Sequence, residues 1–264
     1  MIELRRDRLR TLVLPDRRAM AEAAAAHAAE RLRALLATRP RARVIFAAAA
    51  SQAEMLDALA IRDGIDWERV EAFHLDEYVG LPLGHPRSFG HWLDEHIWSR
   101  VRPGRIERID GGNPDPAGEG RRYGALLDDG GIDLGLIGIG ENGHLAFNDP
   151  HVADFDDPQT VKEVEIDDTS RRQQVRDGAF DALEDVPRLA LTVTMSAILA
   201  SRALSVVVPG AQKAESVART LDGPIDTACP ASALRRHPDA VLFVDTAAFS
   251  RARPPSLEPQ GAIR

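Results

Sequence analysis

Four short segments of this chain are apolar at consecutive positions: RVIFAAA (residues 43–49), IDLGLIGIG (132–140), ALSVVVPG (203–210) and AVLFVD (240–245). A strand with one solvated face alternates polar and apolar residues. A strand that is apolar throughout is covered on both faces, the condition of a parallel sheet between helices. The intervening sequence supplies those helices. Asp16 is placed to cap an Ala-rich segment, RRAMAEAAAAHAAERLRALLA, that Pro40 ends. Ser51 stands where a cap belongs before QAEMLDALA, and Ser88 does so at SFGHWLDEHIW. RVEAFHLD (69–76) reads as a further strand, AGEGRRYGALLDDG as a helix closed by glycine, and RLALTVTMSAILAS as strand then helix. The alternation predicts an α/β fold of three αβα layers: a Rossmann-like, mostly parallel sheet with helices on both faces. No linker divides the chain. Residues 1–250 are expected to form one domain and residues 251–264, rich in Pro and charge, a disordered tail.

In such a sheet, ligands bind beyond the carboxyl ends of the strands. The polar residues just after the strands are Ser51, the His74-Asp76-Glu77 group, Glu141-Asn142-His144, and Lys213 in PGAQK. Asp76 and Glu77 are consecutive, so on extended backbone only one can face a given pocket. A carboxylate partly removed from water has a raised pKa and serves as a base near neutrality. His144 is a proton shuttle by its intrinsic basicity, and Asn142 and Asp149 are placed to orient its ring. Lys213 near a helix start suits a phosphate, as do Arg171 and Arg172 in DDTSRRQQV (167–175).

Composition narrows the partners. The net charge of −8 argues against nucleic acid as the principal ligand. No apolar run is long enough for a bilayer, and MIELRRDRLR has no apolar core of a secretion signal. Cys229 is the only cysteine, which precludes an internal disulfide and fits a reducing, cytoplasmic setting. No His/Cys spacing of a metal site occurs, so no metal is expected.

The order of these motifs resembles the glucosamine-6-phosphate deaminase/isomerase family. FHLDEYVGLPLGHPRSF, GIGENGHLAFNDP and PGAQKAESV each look like a family segment, and the resemblance runs from about Asp16 to about Asp245. The related 6-phosphogluconolactonases share the Gly-His core but continue with a different segment. The resemblance implies conversion of glucosamine 6-phosphate to fructose 6-phosphate and ammonia, without a cofactor. It implies Asp76 as the base, His144 in ring opening supported by Asn142 and Asp149, and Ser51, Lys213 and Arg171 (over Arg172) on the phosphate. A sugar phosphate is then the partner, and a homo-oligomer is compatible with the sequence.

Three departures stand out. AAASQ (48–52) replaces the glycines of the family's phosphate loop with alanine, which resists positive φ. Asp149 replaces a glutamate and is one methylene shorter. Ser170 stands where a simple alignment expects an arginine. The alternatives are an isomerase or lactonase-type hydrolase acting on another sugar phosphate, and a non-catalytic sugar-phosphate sensor. A sensor in a transcription regulator would carry a helix-turn-helix, for which the first forty residues, read as mostly one helix, leave no room.

Overall fold

The computed structural model describes residues 1–254. The continuous apolar runs become neighbours in one eight-stranded sheet. Its strands are β1 (Ile2–Arg6), β2 (Leu9–Leu14), β3 (Ala42–Phe46), β4 (Val70–His74), β6 (Arg105–Ile106), β7 (Leu134–Ile137), β10 (Ala203–Val208) and β11 (Ala240–Asp245). A second sheet holds β5 (Asp76–Tyr78), β8 (Val161–Glu165) and β9 (Leu189–Val193). The large sheet runs β1-β2-β11-β10-β7-β3-β4-β6, parallel except where β1 meets β2.

The helices are α1 (Arg17–Thr38), α2 (Ala53–Ala60), α3 (Phe89–Leu93), α4 (Ser99–Val101), α5 (Pro116–Asp128), α6 (Asp168–Arg176), α7 (Met195–Leu199) and α8 (Ala214–Asp222). Asp16 caps α1 by accepting from the Ala19 N–H, and Ser88 caps α3 by accepting from His91. Two apolar cores lie on opposite faces of the sheet. One joins Val44 and Phe46 to the buried sides of α1 and α2. The other joins Ile45 and Val206 to Tyr123 and Leu127 of α5, Met195 of α7 and Val217 of α8. This is the expected three-layer arrangement.

Three local expectations are corrected, and one strand is added that the sequence reading did not name. Residues 2–14 form a hairpin rather than an approach to the first helix, turning through Asp7 at φ 50°. Its charged outward positions hid the alternation. The polar stretch near 160 contains β8, the edge of the small antiparallel sheet. The cap of α2 is Gln52, not Ser51, and it makes no side-chain capping bond. The start of the expected tail is ordered: the Arg253 N–H donates to Asp222 at 2.7 Å and Arg251 pairs with Glu215 at 3.0 Å. Residues 255–264 of that tail lie outside the described residues.

The order of the strands fixes where a site can form. From β3 the chain builds outward to β4 and β6, then returns to lay β7 on the other side of β3. The switch point therefore lies between β3 and β7, and the loops leaving these two strands flank a crevice.

Candidate active site

The crevice is lined by Ala47, Ala48, Ala49 and Ser51 after β3, and by Gly138, Ile139, Gly140, His144 and Ala146 after β7. Asp76, Phe89, Gln173 and Lys213 complete its walls.

Asp76 reaches it through a change of sheet. β4 ends at His74, Leu75 turns, and Asp76 opens β5, paired with Thr192 of β9. The alternation argument holds within this strand. Asp76 lines the crevice, whereas Glu77 accepts from the N–H groups of Tyr78, Phe89 and Gly90 at 3.0 Å each, at the start of α3. The Asp76 carboxylate has no hydrogen-bond donor among the described residues. Burial, and then the neighbouring Glu77 charge, push its pKa well above the usual carboxylate range.

His74 fixes the backbone beneath it. Its Nε2 accepts from the Ile109 N–H at 2.9 Å, so its Nδ1 carries the proton and donates to the Asp76 carbonyl, also at 2.9 Å. The Tyr123 hydroxyl both accepts from the His74 N–H and donates to the His74 carbonyl, each at 2.9 Å, as a neighbouring strand would.

His144 sits in a tight loop. Gly143 has φ 92°, and a Cβ on Gly140 would come within 2.1 Å of the imidazole. Only glycine at 140 lets the ring lie over the backbone. Three oxygens surround Nδ1: Asn142 Oδ1 at 2.8 Å, Ser170 Oγ at 2.9 Å and Asp149 Oδ1 at 3.0 Å. Asn142 donates its amide to Asp149 at 2.8 Å, so its Oδ1 is the acceptor facing the ring. Asp149 is fully buried, accepts from Asn142, Ser170 and the Asp167 N–H, and is deprotonated. Burial alone would raise its pKa. The hydrogen bond and charge of His144, with the bonds from Asn142 and Ser170, outweigh burial and hold it at about 2. Nδ1 therefore carries a proton and is turned to the protein, which leaves Nε2 without a partner among the described residues.

Lys213 lies in a 3-10 turn (Ala211–Lys213) before α8 and is buried. Its Nζ donates to Gln173 Oε1 at 3.2 Å. Burial lowers its pKa to about 8, opposed by the charges of Asp177 and Glu141. It faces the loop after β3, where the N–H groups of Ala48, Ala49, Ala50 and Ser51 have no acceptor among the described residues. An ammonium opposite a run of free N–H groups is an anion cradle.

A model of the family described as glucosamine-6-phosphate isomerases/6-phosphogluconolactonase matches residues 15–243. The chain belongs to this family. The glucosamine-6-phosphate deaminase of Arthrobacter sp. (strain FB24) is 38% identical over 232 residues, 86% of this chain and 87% of the relative. That of Pseudarthrobacter chlorophenolicus is 36% identical over 228 residues, 84% and 86% of the two chains. A solved monomeric glucosamine-6-phosphate deaminase superposes with a TM-score of 0.84 at 28% identity, covering 91% of this chain and 99% of that one. The 6-phosphogluconolactonase of Thermotoga maritima shares the fold, with a TM-score of 0.72 at 19% identity over 89% and 98% of the chains.

The structure brings Asp76, Asn142, His144, Asp149, Ser51 and Lys213 to or immediately behind one crevice. It does not bring Arg171 there. That guanidinium is buried against Asp168 at 3.0 Å and the carbonyls of Leu183 and Val186 at 2.6 and 3.1 Å, where it ties α6 to the following turn. Arg172 is exposed beside Asp168. The arginine whose charge acts on Lys213 is Arg176, ion-paired with Glu141. The alanines of the loop after β3 are not in the positive-φ region, so the loop takes a path open to alanine. The shortened Asp149 reaches the imidazole.

Sequence reasoning missed Ser170 and Gln173. Both lie on the same side of α6, one turn apart, and the helix is too polar for periodicity to mark a buried face. The available signal was the i, i+3 spacing of two small or neutral polar residues among charges.

Proposed function

We propose that the protein is a glucosamine-6-phosphate deaminase that converts glucosamine 6-phosphate and water to fructose 6-phosphate and ammonia. The relatives at 36–38% identity carry that name. The observation that carries the reading is one crevice that, among the described residues, holds a buried carboxylate without hydrogen bonds, a histidine with a free Nε2, and a buried lysine without a carboxylate bonded to it.

The residues divide the work as follows. The substrate phosphate lies between Lys213 and the N–H groups of residues 48–51, with the Ser51 hydroxyl beside it and the charge of Arg176 felt at Lys213. Nε2 of His144 takes the proton from the anomeric hydroxyl and returns it to the ring oxygen, opening the ring. The imidazolium formed in between is stabilised by Asp149. Asp76 then removes the C2 proton and C1 receives a proton, while a proton passes from the C2 nitrogen to the C1 oxygen, so the C1 aldehyde becomes an alcohol. The C2 amine becomes an imine, water adds at C2, the C–N bond breaks, and ammonia leaves. Two proton-handling groups of different basicity suit these two transfers. The substrate ammonium at C2 favours the ionised form of Asp76, countering the burial that disfavours it.

The test is incubation with glucosamine 6-phosphate, following ammonia and fructose 6-phosphate, with Asp76→Asn in parallel. Release of both products by the wild type and not by the variant is expected. No ammonia from the wild type would remove the substrate assignment. Undiminished turnover by Asp76→Asn would remove the base.

A further inference from the structure

We infer that Ser170 is a positioning residue for His144, fixing which ring nitrogen faces the substrate; this rests on the ring-opening role proposed above. Ser170 comes from α6, not from the loop that carries Asn142, His144 and Asp149. It is buried, with its hydroxyl 2.5 Å from Asp149 Oδ1 and 2.9 Å from His144 Nδ1.

The argument is one of counting protons. A serine hydroxyl has one hydrogen to donate. Asp149 already accepts from the Asn142 amide and the Asp167 N–H, and its Oδ1 is the nearer partner of the Ser170 hydroxyl, so the Ser170 hydrogen is committed to it. Toward the imidazole Ser170 can then only accept. Asn142 is in the same position, because its amide donates to Asp149. Every oxygen at Nδ1 is therefore an acceptor, and only the Nδ1–H tautomer offers them a donor. Without the hydroxyl, Asp149 Oδ1 loses a donor and the ring loses its contact with α6. The imidazole is then held only by its own loop, whose Asn142 is just two residues away. Second-shell groups of this kind set both the orientation and the tautomer of a histidine.

α6 gives the contact a wider reach. One turn beyond Ser170, Gln173 Oε1 accepts from Lys213 Nζ at 3.2 Å and from the Glu141 N–H at 3.1 Å. The Asp167 N–H, just before the helix, donates to Asp149 Oδ2 at 3.0 Å. A single helix thus holds the supports of the proton-handling histidine and of the anion-binding lysine.

The test compares Ser170→Ala and Ser170→Thr with the wild type by steady-state kinetics on glucosamine 6-phosphate and by nitrogen-15 NMR of the His144 ring. Ser170→Ala is expected to lower kcat about tenfold or more, the scale seen when such supports are removed. KM should stay within about twofold, and the His144 signals should move from the Nδ1–H pattern toward a tautomer mixture. Ser170→Thr, which keeps the hydroxyl, should restore the ring pattern. A Ser170→Ala ring that keeps the wild-type pattern would overturn the inference, whether kcat falls or not, since a merely structural role lowers activity without moving the tautomer. If the wild type releases no ammonia, the deaminase reading fails on its own, and the ring signals still decide the role of Ser170.

Discussion

His74 and His144 stand in comparable places, each near the carboxyl end of a strand beside the switch point, and each bonds through Nδ1 to an oxygen two residues away. They differ in the second nitrogen. Nε2 of His74 is engaged by the Ile109 N–H, so both ring nitrogens are consumed in holding backbone. Burial pushes its pKa down to about 3, against the raising effect of its bond to the Asp76 carbonyl, and it stays neutral. Among the described residues His144 spends only Nδ1 on the protein, and it lines the crevice with a free Nε2. A histidine with two partners is a fastener; a histidine with one partner retains a group for chemistry. Burial alone does not separate them, since both are largely shielded from solvent.

The contrast can be broken at several points. His144→Gln should lower kcat by about 10²–10⁴-fold, the ordinary contribution of a general acid–base group. A variant that retained wild-type turnover would dissolve the distinction. His74→Leu should do the reverse. It leaves the Ile109 N–H and the Asp76 carbonyl without partners, at about 1–3 kcal/mol each, measurable by urea unfolding. A stability equal to that of the wild type would show that His74 fastens nothing.

Asp149→Asn should reduce kcat about 10–100-fold by loosening the His144 ring. It should also change the response to acid. The wild-type pKa is depressed to about 2, so its contribution to stability is present above the ordinary aspartate pKa and is lost as pH falls toward 2. The stability gap between wild type and variant should therefore narrow on acidification, which unfolding curves at several pH values would reveal. The smallest effect concerns His74 in its neutral form. Its folded pKa lies below that of the unfolded chain, so the unfolded state binds the extra proton and stability declines from about pH 6.5 toward 3. His74→Leu should show a shallower decline over that window.

The large elements were legible because fully apolar runs such as ALSVVVPG admit few other readings, and His144 stood out because glycines at 140 and 143 frame it. What stayed hidden depended on partners distant in sequence. Arg171 and Arg176 are chemically alike on one short helix, and only tertiary packing sends the first to the carbonyls of Leu183 and Val186 and the second to Glu141. Ser170 likewise acquires its meaning from a loop some twenty-six residues earlier. The β1–β2 hairpin escaped because its outer positions are charged.

The turn at Leu75 has a consequence for how such a site can diverge. Asp76 rides on the small sheet, while the loops bearing His144 and Lys213 leave the large one. The two sheets meet at a seam where Thr192, paired with Asp76, also accepts from the Phe147 N–H at 3.1 Å. The gap between base and histidine is thus set by how the two sheets meet. Substitutions along the seam can widen or narrow the space offered to a sugar while leaving every proton-handling group in place.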